Sequence, residues 1–221
     1  MMEQKKYRQA EFVSAAERRY RKFGMTIFLL IFLSLFVSCT TEVTLAVQPD
    51  DSVNITFEGG AGQAFTKMIS SASGNPDSII DVDSVTYELA KAGFADVKVN
   101  QKEGGNVLIN MCDKKQTSYI FTSGVIKSEK GKLSAQIKRK SLEDFYNTAD
   151  EQTRSTLDLF LAPVFNNEYM SEEEYLEMVA SFYGEAAAKE VSESIVKINL
   201  ISKDGSKQSL NYPLAQLMCG L

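Results

Sequence analysis

The side chains in this chain that could do chemistry are three cysteines, Cys39, Cys112 and Cys219, and several groups of carboxylates; histidine is absent. Without an imidazole there is no Ser-His or Cys-His nucleophile pair, no histidine metal ligand and no histidine pH switch. Carboxylates alone could serve an envelope hydrolase, since glycoside cleavage needs only two acids flanking a scissile bond. The acids here gather as Asp81/Asp83, Glu143/Asp144 and Glu172/Glu173/Glu174. Each group falls where a helix is expected to begin, and the positive end of the helix dipole accounts for acids there. Asp50, Asp51, Asp81 and Asp83 lack the twelve-residue loop, central glycine and terminal glutamate of an EF-hand. Gly59, Gly60 and Gly62 match neither the dinucleotide fingerprint nor the Walker pattern, because no Lys-Ser/Thr follows. No catalytic residue, metal or cofactor is therefore expected.

The cysteines divide by context. Cys112 and Cys219 sit in apolar stretches, Asn110-Met111-Cys112 and Leu217-Met218-Cys219. An oxidising compartment would allow them to bridge, and a reduced thiol in such surroundings packs as a small hydrophobe; both alternatives stay open. No Cys-x-x-Cys redox motif is present.

Cys39 closes an uncharged run, Met25 to Ser38, that follows the basic cluster Arg18, Arg19, Arg21 and Lys22. Fourteen helical residues would extend only about 21 Å, short of a hydrocarbon core of roughly 30 Å. The length suits the apolar region of an export signal better than a spanning helix. Phe36-Val37-Ser38-Cys39 resembles the lipobox of bacterial lipoproteins, with Ser38 at the small position, Val37 before it and Phe36 in place of the usual leucine. The resemblance implies a signal peptide over residues 1–38 (basic region 1–24, apolar region 25–38), removed as Cys39 is acylated. It also implies several acyl chains on Cys39 and, because Thr40 is no aspartate, the outer membrane rather than the inner. The alternative is an uncleaved signal anchor that presents the same external domain. In either case the partner is a lipid bilayer and residues 39–221 lie outside the cytoplasm.

Those residues form one domain by length, and enough chain is present to bury a core without staples. Of the 24 basic and 29 acidic side chains, seven and three fall in residues 1–38, which leaves a net charge of −9 on the remainder. Nucleic acid is excluded as a partner, because neutralising phosphates needs clustered Lys and Arg.

Period-two alternation predicts a hairpin over 42–57 around Pro49-Asp50-Asp51, a second over 95–112, and a third over 194–212 with a turn at Asp204-Gly205. Strands are also expected at Ser118-Tyr119-Ile120-Phe121 and around Leu133, Ala135 and Ile137. Helical spacing predicts segments at about 61–73 and 83–92, the latter with Val85, Leu89 and Tyr87 inward and Gly93 as its stop. Between the second and third hairpins a helical segment spans about 141–191. Its clearest start is Ser171-Glu172-Glu173-Glu174, a capping box, followed by an apolar face of Tyr175, Leu176, Met178, Val179 and Phe182. A lone hairpin is marginal in water, so the last one should rejoin the first sheet. The expectation is an α+β fold: an antiparallel sheet built from hairpins, helices on one face, and a helical insertion before the C-terminal hairpin.

Phe160, Phe165, Tyr169, Tyr175 and Phe182 make that insertion aromatic-rich and nominate it as a surface for an envelope protein or an apolar ligand. The expected function is that of a membrane-anchored binding or structural module, not an enzyme. An accessory subunit of a transport or secretion complex would fit the same features.

Overall fold

The computed structural model describes residues 40–60, 62–64, 66–67, 82–102, 106–136, 140, 143, 146–147 and 170–220. The lipobox with Cys39, most of the helix expected at 61–73, most of the expected helical segment 141–191 ahead of residue 170, and Phe160, Phe165 and Tyr169 lie outside the described residues.

Strand β1 (Thr40–Val47) turns through Gln48–Ser52 into β2 (Val53–Gly60). Helix α1 (Val82–Lys91) leads to the hairpin of β3 (Ala95–Gln101) and β4 (Asn106–Asp113). A one-turn helix α2 (Tyr119–Thr122) precedes a small hairpin, β5 (Ile126–Glu129) and β6 (Lys132–Ala135). Helices α3 (Glu172–Tyr183) and α4 (Glu185–Glu193) then lead to β7 (Ile195–Ile201), β8 (Lys207–Pro213) and α5 (Leu214–Gly220).

Six strands form one sheet in the order β3-β4-β2-β1-β7-β8, and β5-β6 stands as a separate two-stranded sheet. All pairings are antiparallel except β1 with β7, which are parallel with Leu45 opposite Leu200. The C-terminal hairpin thus rejoins the first sheet, and β1 is the seam between two antiparallel groups, β3-β4-β2 and β7-β8, that would otherwise separate.

Alternation explains the layers. Leu45, Val47, Val53, Ile55, Phe57, Val107, Ile109, Met111, Val196, Ile198 and Leu200 point to one face and are buried. They share a single apolar cluster with Val85 and Leu89 of α1, Tyr175 and Val179 of α3, Ala187, Ala188 and Val191 of α4, and Leu214, Leu217 and Met218 of α5. The opposite face is polar. There Glu42 accepts from Lys197 Nζ (3.2 Å) and Asn199 Nδ2 (2.6 Å), Ser209 donates to Asn199 Oδ1 (2.6 Å), and Thr56 donates to Asn110 (3.0 Å).

Three local expectations are corrected. Tyr119 to Phe121 is helical, not extended, because Asp113 seizes the backbone ahead of it. The buried Asp113 carboxylate accepts from the amides of Lys115 (3.2 Å), Thr117 (3.1 Å) and Ser118 (2.8 Å), winding the loop into a turn that α2 continues. Tyr87 is 65% exposed, and its ring faces the Lys91 ammonium at 5.7 Å instead of the core. Phe182 is 76% exposed: it follows the buried Val179 by three residues on the side of α3 turned to solvent, while its neighbour Tyr183 packs against the core.

Candidate functional site

The aromatic surface expected on the helical insertion resolves into two unlike residues. Tyr175, 1% exposed, is among the largest fully buried side chains and belongs to the core. Phe182 stands in solvent beside Tyr183, ring centroids 6.4 Å apart and planes inclined by 49°. Partial burial of Tyr183 raises its phenol above the ordinary value of 10.0.

Helix α3 is placed by its cap. Ser171 Oγ accepts from the Glu174 amide (3.2 Å) and Glu174 Oε2 accepts from the Ser171 amide (2.8 Å), so both halves of the capping box are made. The Ser171 amide and hydroxyl together hold the Glu174 carboxyl below its ordinary 4.5. At the other end Gly184, at φ 88°, makes the turn that folds α4 back along α3; a side chain there would be strained.

Along the α3–α4 pair runs an open groove of about 780 Å³, lined by Glu172, Glu173, Leu176, Glu177, Ala180, Ser181, Glu185 and Ala188. Its floor is apolar and its rim acidic. Elsewhere Glu42, Asp51, Glu58, Glu88, Asp96 and Glu193 each pair with a lysine. Among the described residues no such ion pair forms with the four groove glutamates. All four are exposed. The chemistry the groove offers is attraction of a cationic, partly apolar surface. Sequence reasoning missed it, because the lining comes from two helices whose glutamates, taken one helix at a time, read as ordinary solvated positions.

The glycine cluster after β2 has an internal occupant. The Ala64 amide donates to Glu190 Oε1 at 2.7 Å, and a Cβ on Gly62 would collide with that carboxylate. Glycine at 62 therefore lets the chain close over a glutamate of α4. Cys112 is a free, buried thiol on β4; the side chain of Cys219 lies outside the described residues. No group of three or more potential metal ligands occurs among the described residues. None of the described helices is long and apolar enough to cross a membrane.

No protein-family model matches the chain, and no curated protein or solved structure is detectably similar to it.

Proposed function

We propose that the chain is a bacterial envelope lipoprotein, anchored through acylated Cys39, whose domain acts as a binding or structural module outside the cytoplasm. The observation that carries this reading is the uncharged run 25–38 that closes on Cys39 immediately before the first strand. Acyl transfer contributes about 0.8 kcal/mol per buried methylene, so several chains on one thiol anchor stably where a single chain would not. The anchor supplies location, and the α3–α4 groove with the exposed Phe182 supplies the face for a partner.

Metabolic labelling of the full chain with a fatty-acid analogue, read together with intact mass, tests the anchor. Label present in wild type and absent in Cys39→Ala is the expected result. An unlabelled product that begins at Met1 and stays in the membrane would replace the lipid anchor with an uncleaved signal anchor. An unlabelled product that stays in solution would end both.

A further inference from the structure

Sheet register divides the domain into two ends. Thr40, Ile195 and Pro213 stand side by side across β1, β7 and β8, and Gly60 stands beside Asn106 across β2 and β4; together they mark one rim. The turns 48–52, 114–118 and 202–206 lie at the opposite end, because Val47 pairs Val53, Val53 pairs Asp113 and Ile201 pairs Lys207, and the turn 130–131 joins them there, since the Lys203 amide donates to the Gly131 carbonyl.

We infer that the rim containing Thr40 and Ile195 lies in the lipid headgroup layer, so that the domain stands end-on against the bilayer with its turns pointing away. The inference rests on the membrane anchor proposed above and adds an interaction surface and an orientation to it. Three observations carry it. First, β1 begins at Thr40, the residue that follows Cys39, so no residue intervenes between the anchor and a central strand, and one step along the chain spans only about 3.8 Å. No linker is available to lift the rim from the surface. Second, Ile195, paired directly with Thr40, is 43% exposed and is one of three large apolar side chains in solvent among the described residues. At the rim it faces the interface, where an exposed apolar side chain is favoured. Third, the −9 charge of residues 39–221 disfavours laying a broad face on an anionic membrane, where carboxylates within a Debye length of about 8 Å would be repelled.

The consequence is a defined geometry for a partner. Eight residues of β1 lift the turns by about 26 Å at roughly 3.3 Å each.

The test uses the full acylated chain in vesicles of zwitterionic phosphatidylcholine containing a minor fraction of headgroup spin-labelled lipid. An environment-sensitive fluorophore is attached at Ile195→Cys or at Lys207→Cys, in a Cys112→Ala, Cys219→Ser background that leaves Cys39 native. Strong quenching at Ile195 with none at Lys207 is expected, and Asn106→Cys, on the same rim, serves if the Ile195 variant misfolds. Equal quenching at both ends, or at neither, in protein whose mass confirms acylation would overturn the orientation and leave the anchor standing. Protein that carries no acyl mass and does not join vesicles would overturn both.

Discussion

At the residue scale, exposure separates the side chains that build the domain from those available to a partner. Tyr175 and Phe182 lie seven residues apart on α3, yet the first is sealed in the core and the second is in water. Tyr175→Ala should cost about 3–5 kcal/mol of stability in denaturant unfolding. Phe182→Glu should leave stability within about 0.5 kcal/mol, so loss of partner capture in that variant would report binding alone. Asp113 makes a second such contrast. Its buried carboxylate satisfies three amides of the 114–118 loop, and Asp113→Ala would leave them without an acceptor. A loss of roughly 2 kcal/mol or more is expected, with faster amide exchange confined first to that loop and α2.

At the element scale, what the sequence made legible was periodicity and punctuation. The three hairpins over 42–57, 95–112 and 194–212 stand where alternation and Asp or Gly turns put them, and the capping box starts α3 at the expected serine. Tyr119 to Phe121 was misread because strand propensity is a weak local signal, and the side chain of Asp113 outweighs it. Leu214, Leu217 and Met218 carry the helical spacing of α5, a helix of seven residues and so too brief for its period to stand out. The α3–α4 groove was illegible for a different reason: it exists only once Gly184 folds one helix along the other. Caps and turns also carry the pH response. Ser52 lowers the Asp50 carboxyl, first through its hydroxyl and then its amide, Ser206 does the same for Asp204, and Ser171 lowers Glu174. Folding lowers each of these values, so their contribution is complete above the ordinary 3.8 and 4.5 and fades as pH falls through the lowered values. Thermal midpoints should therefore decline below about pH 4.5, and less steeply in Ser171→Ala. At neutral pH that substitution should itself cost about 1 kcal/mol through loss of the cap.

At the scale of the whole molecule, the parallel seam between β1 and β7 decides whether the chain behaves as one cooperative body. The seam joins residues about 155 positions apart, as in the Lys197–Glu42 contact, and without it β7-β8 would be an isolated hairpin that is marginal in water. Closing so long a loop is entropically costly, yet the cost grows only logarithmically with length, and burial of Leu45 against Leu200 and their neighbours offsets it. Within the sheet the β7-β8 side is therefore tied to the β3-β4-β2 side through β1, and the shared apolar cluster reinforces the tie. The chain has no tryptophan, so reporters can be placed cleanly. Phe57→Trp in β2 and Tyr212→Trp in β8, studied separately, should give urea transitions that coincide with each other and with the far-UV signal. A β8 transition at lower urea than the β2 transition would show the C-terminal hairpin peeling away first, and would break the claim that β1 binds six strands into one unit. Leu45→Ala sharpens the comparison, because it weakens both sides of the seam at once. It should lower both midpoints together, by about 2–5 kcal/mol of stability, and leave their coincidence intact.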